Sequence, residues 1–283
     1  MNAYPGHDPR EVLTRPAPPP ELVVRYGPED EQVADVWLPQ AGWRLPAPLV
    51  LVLHGGFWRV AYDRTHTRPM CQDLAGRGYA VASVEYHRVG QDGGGWPGTF
   101  DDVAIAVDAV PDLVAAAAPE AVDTTRIVLL GHSAGAHLAL WAAGRHRLAT
   151  TSPWHRTEPL PVAGVVALAG VCDLAQASAL GLGDAAVDDL LGGPAARVPG
   201  RVAAASPSSL LPLGTRLVLV HGTEDDRVPL QVSRDFHTRA TRAGDDVELV
   251  TVEGVEHFAL IDPHSSAWPR VLDAVGTVLV RGP

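Results

Sequence analysis

The sequence predicts an α/β protein: a mostly parallel sheet of about eight strands, helices on both faces and a short lid insertion. Three observations carry this reading. Apolar, strand-like runs alternate with helical apolar spacing along most of the 283 residues. Four glycine-containing polar stretches, 54–58, 131–135, 221–229 and 254–258, each fall just after a predicted strand. Parallel sheets bind their ligands at that end. Finally, Gly131-His132-Ser133-Ala134-Gly135 lies between the apolar run 126–130 and an Ala/Leu-rich stretch at 136–144. Strand, sharp turn and helix together lift a serine hydroxyl above a sheet.

Residues 1–20 are polar and then proline-rich, and predict an extended arm. The domain proper spans 21–283. Runs 21–26 and 32–38 flank Gly27-Pro28-Glu29-Asp30, a turn sequence, and pair as a hairpin. Residues 49–53 form a buried strand that ends at His54. Helical spacing over 65–77 precedes a strand at 79–86 and a Gly-rich loop at 87–98. Residues 99–118 place Val103, Ala106, Val107, Val110 and Leu113 on a helical face, with Asp101 and Asp102 where the helix dipole favours them. Pro111 predicts a kink or break in that helix.

A strand at 162–168 follows the elbow. Residues 171–213 then lose strand character and hold Gly-Leu-Gly, Gly-Gly-Pro and a short helix near 185–191. Such an insertion reads as a lid or binding loop. A strand at 216–220, a helix from Pro229 to 243, a last strand at 247–252 and a helix over 267–279 complete the chain.

The formal net charge is −11 and no basic run exists, which argues against nucleic acid and anionic membranes as partners. Every basic residue is Arg; the absence of Lys excludes a lysine base, Schiff base or phosphate clamp. Cys71 and Cys172 sit among apolar residues and read as buried free thiols. No Cys/His cluster has metal-ligand spacing, so neither metal nor organic cofactor is expected. Residues 1–10 lack a basic region followed by an apolar one. The longest apolar run, 162–172, is short of the ~20 residues that span a bilayer. These features predict a soluble, cytoplasmic protein.

A serine hydroxyl is a weak nucleophile unless a base takes its proton and an acid orients that base. Ser133, Asp225 and His257 follow in that order, each after a predicted strand. Asp173, after the 162–168 strand, is a rival acid, and His264 a rival base. Glu224 and Asp226 read as solvated or capping. Gly55 and Gly56 can turn N–H groups inward, and with Ala134 would form an oxyanion hole. Phe57, Trp58, Tyr86 and Trp96 lie near strand ends and either line an aromatic-accepting pocket or simply pack. Arg59 and Arg88 are candidates for pairing with a substrate carboxylate, against a plain solvated role. His54 and His221 read as loop braces, His132 and His137 as packing, and His87 as a weak pocket candidate.

His54-Gly55-Gly56-Phe57-Trp58 resembles the HGGxW signature of the kynurenine formamidase branch of the α/β-hydrolase superfamily and of related small esterases. Gly131 to Gly135 matches that branch's nucleophile motif. His221-Gly222-Thr223-Glu224-Asp225-Asp226-Arg227-Val228-Pro229 resembles the HGxxDxxVP acid motif, which places the acid at Asp225. Glu256-His257-Phe258 resembles the (D/E)HF histidine motif. The resemblance covers nearly all of the chain beyond the arm. Phe57 stands where the hormone-sensitive-lipase branch has a third glycine, and the arm is too short for that branch's helical cap. There is no room for the propeller of prolyl-oligopeptidase-type enzymes.

The resemblance implies an α/β-hydrolase fold and a serine hydrolase that cleaves a small acyl group from an ester or aryl amide through an acyl-enzyme. Conversion of N-formylkynurenine to kynurenine and formate is its first expectation. A carboxylesterase for short-chain or aromatic esters is the alternative. A non-catalytic, ligand-binding pseudo-hydrolase is a remote third, opposed by the intact Ser133, Asp225 and His257. The expected partner is a small-molecule acyl substrate. The fold admits a homodimer, which no residue marks.

Overall fold

The computed structural model describes residues 8–280; most of the stretch read for a leader, and part of the N-terminal arm, lie outside them. Eight strands form one sheet: β1 (Leu22–Arg25), β2 (Val33–Trp37), β3 (Ala47–Leu53), β4 (Ala80–Val84), β5 (Val122–His132), β6 (Gly164–Leu168), β7 (Arg216–Gly222) and β8 (Val247–Val252). Their order across the sheet is β1-β2-β4-β3-β5-β6-β7-β8. The β1–β2 hairpin pairs antiparallel with itself and with β4, and every other pairing is parallel. This is the expected mostly parallel sheet.

The helices are α1 (Arg68–Gly76), α2 (Gly98–Ala117), α3 (Ala134–Ala143), α4 (Leu174–Ala179), α5 (Ala186–Leu191), α6 (Pro199–Ala205), α7 (Leu230–Ala243) and α8 (Trp268–Val280). The sheet divides the core in two, because successive strand residues face opposite sides. Leu49, Leu51, Leu53 and Leu129 pack with Val103, Val107 and Val110 of α2, Leu138 of α3 and Phe236 of α7. Val50, Val52, Val128 and Leu130 pack on the other side with Met70 and Leu74 of α1 and Val271 and Val275 of α8. Central strands buried on both faces explain why these runs are continuously apolar rather than alternating.

Two expectations need correction. The break at Pro111 is absent: α2 runs unbroken from Gly98 to Ala117, with Pro111 buried within it. Burial of Val103, Val107, Val110 and Val114 offsets the one backbone hydrogen bond that Pro cannot donate. The arm is not extended throughout. Pro9–Leu13 forms a 3-10 turn whose first N–H groups are capped by Asp8. Its Val12 is fully buried in the cluster that holds Leu260 and Ile261. A forked ion pair from Arg15 to the buried Asp262 ties the arm down a few residues later.

Residues 171–213 hold α4, α5, α6 and short 3-10 turns. They dock through Ala186, Val187, Leu190 and Leu191, all buried. Leu190 O accepts the Trp96 N–H at 2.8 Å, and Arg59 donates to Asp184 O at 2.7 Å and to Asp189 at 3.0 Å. No helix among the described residues is long and apolar enough to cross a membrane.

Candidate active site

Ser133 sits between β5 and α3 at φ 56°, ψ −117°. That conformation is costly for a residue with a Cβ and persists only where neighbours enforce it. Here they do. The Ser133 N–H donates to Leu168 O on β6 at 2.8 Å, and its carbonyl accepts the Ala136 and His137 N–H groups in the first turn of α3. The flanking glycines are sterically required. A Cβ on Gly131 would stand 2.3 Å from Gly135 O, and one on Gly135 would stand 2.0 Å from Leu53 O.

His257 lies after β8, at the start of the 3-10 turn Phe258–Ile261. Its Nδ1 is 2.7 Å from Asp225 Oδ2, in the loop after β7. Asp225 Oδ1 accepts the Arg227 and Val228 N–H groups, both at 2.8 Å. Burial alone would push the Asp225 carboxyl up. Hydrogen bonds from His221 and His257 and from the Val228 N–H outweigh it and hold the carboxyl well below the usual range. Asp225 is thus a carboxylate near neutral pH, and His257 Nδ1 is the donor in their bond. His221 is bound by Ser233 Oγ at 2.7 Å and Val228 O at 2.8 Å, which fixes the acid loop.

Ser133 and His257 line one cavity of about 210 Å³. None of the hydrogen bonds among the described residues joins the Ser133 hydroxyl to His257. Such bonds are often long before substrate arrives. His132 holds the His257 backbone: its Nε2 donates to His257 O at 3.1 Å. Burial pushes the His132 ring well below the ordinary imidazole range, so it is a neutral strut. Sequence reading assigned His132 to packing; the carbonyl it holds lies 125 residues away, a distance no local pattern reveals.

Gly55 approaches Ser133 closely, for a Cβ there would stand 3.2 Å from Ser133 Cβ. His54 Nδ1 holds Gly55 O at 2.8 Å and its Nε2 meets Glu85 at 2.8 Å. Across a trans peptide the Gly56 N–H therefore points away from that imidazole. Gly56, Phe57 and Trp58 all have positive φ, of 110°, 51° and 58°. The loop coils tightly enough to leave its own N–H groups unused: those of Gly55, Gly56 and Ala134 donate to no other group among the described residues. Gly56 also lines the cavity. Glu85 accepts further bonds from the Arg64 and Tyr86 N–H groups. Burial would raise its carboxyl; the attraction of His54 and Arg88 and these hydrogen bonds bring it down to about 2.

Of the four aromatics expected at the pocket, Phe57 alone lines the cavity. Trp58 and Tyr86 are fully buried. Tyr86 stacks on His54 at 4.3 Å and donates to His54 O at 2.8 Å, while Trp58 stands edge-on to His137 at 5.1 Å. Trp96 packs against Trp154 at 4.9 Å and Phe100 at 5.4 Å. Position after a strand does not say which way a ring turns.

The rival residues lie elsewhere. Asp173 caps α4 and pairs with Arg239; His264 lines a different groove with Arg15; His87 is bound to Asp102 at 2.7 Å. Arg88 is buried against Glu31 and Tyr62 O, and Arg59 is spent on Asp184 and Asp189. The arginines that do line the cavity are Arg10 and Arg227. Residues 171–213 line none of it. They support it from behind through Gly183, where a Cβ would stand 2.6 Å from the Phe57 ring.

Comparison with known proteins agrees with this architecture. The chain is 26% identical over 267 residues to a protein of Oryza sativa subsp. japonica named as an isoprenylcysteine alpha-carbonyl methylesterase, covering 90% of this chain and 63% of that one. It is 28% identical over 154 residues to a kynurenine formamidase of Salmo salar, covering 54% of this chain and 46% of the other. It thus spans about half to two-thirds of the length of these curated relatives. Among solved structures, the butyrate-bound esterase Est2 of Thermogutta terrifontis superposes with a TM-score of 0.70 at 25% identity, covering 92% of this chain and 93% of that one. The model of the BD-FAE family matches residues 34–240, well over half the chain and inclusive of Ser133 and Asp225. The fold is that of the α/β-hydrolases, and the chain belongs to the BD-FAE family.

Proposed function

We propose that the protein is a serine esterase that cleaves short-chain carboxylic esters through an acyl-enzyme. One observation carries the reading: a serine on a strained strand–helix turn shares a cavity with a histidine whose far nitrogen is held at 2.7 Å by a buried carboxylate. Ser133 Oγ attacks the ester carbonyl while His257 Nε2 takes its proton. Asp225 keeps the His257 Nδ1–H in place and stabilises the imidazolium. Charge developing on the carbonyl oxygen meets the N–H groups of Gly55, Gly56 and Ala134. His257 then gives its proton to the departing alcohol. Water, activated by the same histidine, releases the acid and restores the serine.

The cavity of about 210 Å³ has room for a small acyl group, in keeping with the butyrate bound to the Thermogutta terrifontis esterase. A formyl aryl amide is the second reading. It rests on the His54-Gly55-Gly56-Phe57-Trp58 motif and on the partial similarity to the formamidase of Salmo salar. The ester reading stands first because the family match and the ester-cleaving relatives cover far more of the chain.

Wild type and Ser133→Ala, assayed on p-nitrophenyl butyrate and N-formyl-L-kynurenine, test both. The ester should be turned over, and the substitution should lower kcat on the order of 10⁴–10⁶-fold. Turnover of the formamide with kcat/KM above ~10⁴ M⁻¹s⁻¹ would move the assignment to a formamidase. Equal inertness of both proteins on both substrates would remove the mechanism.

A further inference from the structure

The arginines that line the cavity are among its more exposed side chains, and His66 and His132 are buried in its lining. His66 is buried, and desolvation pushes its ring down to about 4, so it is neutral near pH 7. Its Nδ1 has no hydrogen-bond partner. Arg10 is exposed and Arg227 is partly exposed, and both line the same cavity as Ser133. Arg10 reaches it because Asp8 caps the Pro9–Leu13 turn through the Arg10 N–H and Val12 anchors the turn in the core. Arg227 reaches it because its own N–H is fixed to Asp225. Among the described residues the Arg10 guanidinium meets no acceptor. The Arg227 guanidinium meets only Asp226, which approaches its Nε at 3.4 Å.

The chain's buried and part-buried arginines are paired closely with carboxylates, Arg64 and Arg68 with Asp35, Arg88 with Glu31 and Arg145 with Asp108, whereas some exposed ones, such as Arg25 and Arg270, are paired loosely. What sets Arg10 and Arg227 apart is their place: both line the cavity that holds Ser133 and His257, in a protein of net charge −11. A protein so acidic repels anions at long range. A local pair of guanidinium groups reverses that at the mouth, and their fork geometry suits a carboxylate.

We infer that Arg10 and Arg227 form a cationic rim that selects esters carrying a carboxylate on the part projecting from the cavity. The neutral acyl end goes in beside His66, and the anionic end stays at the mouth. This rests on the esterase reading for its reaction but not for its binding geometry.

Two matched pairs of probes test the rim. The esters are 4-acetoxybenzoate and its neutral methyl ester; the unreactive ligands are 4-hydroxybenzoate and methyl 4-hydroxybenzoate. Arg10→Gln and Arg227→Gln should each raise the charged-to-neutral KM ratio about tenfold, by removing one charge-assisted contact. The charged-ester advantage of the wild type should fade between ~0.05 and ~0.5 M salt, and the double variant should be salt-insensitive. Calorimetry on Ser133→Ala should show the charged ligand binding more tightly than the neutral one, with the preference lost in the double variant. An unchanged KM ratio, or the absence of charge-selective binding by Ser133→Ala, overturns the rim. Charge-selective binding with neither ester hydrolysed by wild type overturns the esterase reading and leaves the rim standing.

Discussion

The floor and the cover of the cavity are built on different principles. The floor is made of loops at the ends of β3, β5, β7 and β8, and its positions are fixed by collisions and hydrogen bonds. Gly131 and Gly135 have no room for a methyl group and Gly55 has little, Ser133 is strained, and the histidines at 54, 132 and 221 each hold a backbone carbonyl. The cover, taken as what surrounds that floor, comprises the Pro9–Leu13 turn, which lines the cavity through Arg10 and Leu13, and residues 171–213, which line none of it and pack behind Phe57. It is held by separate anchors, among them Val12, Arg15 on Asp262, and Arg59 on Asp184 and Asp189. The two regions can therefore be altered separately: the reacting groups proposed here lie in the floor, and the proposed cationic rim lies outside it.

The largest effects should come from the floor. Asp225→Asn keeps the size of the side chain but loses the carboxylate that orients His257, and should cost about 10²–10⁴ in kcat with little change in folding; stopped-flow acylation of p-nitrophenyl butyrate reads it. If the loss is below tenfold, the acid is supplied from elsewhere. Gly135→Ala sets a Cβ against two backbone oxygens, 2.0 and 2.5 Å away. It should destabilise the protein by more than about 3 kcal/mol, read by urea unfolding.

Glu85→Gln probes how the oxyanion loop is braced. The carboxyl titrates near about 2 when folded, against an ordinary value of 4.5. A depressed carboxyl stabilises the fold above its unfolded pKa and loses that contribution as pH falls through the folded one. At pH 7 the difference corresponds to about 3 kcal/mol. The stability gap between wild type and Glu85→Gln should therefore close between about pH 5 and 2. A pH-independent gap would show that the carboxylate and its contacts with His54, Arg64 and Arg88 are not its source.

The smallest effect belongs to the cover. Gly200, in α6, has nothing within 4 Å of an added Cβ and needs no positive φ. Gly200→Ala should stabilise by about 0.5–1 kcal/mol through helix propensity, with unchanged kinetics. Comparing it with Gly135→Ala sets the same substitution in the two regions, and similar outcomes would erase the distinction.

The contrast also explains what could be read from the sequence. The floor is legible because each of its motifs is local: glycines flanking a serine, a histidine three residues past a turn glycine, an acid three residues before Val-Pro. The strands announce themselves because burial on both faces demands continuous apolar runs. The cover is not local. Nothing near Val12 says that it will meet Leu260 and Ile261. Nothing near Arg88 says that Glu31 will neutralise it while Arg227 keeps only Asp226. Arginines and aromatics look alike in sequence, and only tertiary pairing decides which are spent on structure.

Cys71 and Cys172 are both fully buried and free. Burial pushes the Cys71 thiol up to about 12 and raises that of Cys172 too, so neither offers a thiolate near neutral pH. The surface is thus silent toward thiol reagents. Leu180, 53% exposed at the end of α4, marks a position on the cover where a cysteine would be readily labelled. A fluorophore attached through Leu180→Cys would carry no background from the native thiols. Its emission during a single turnover would follow the cover in real time.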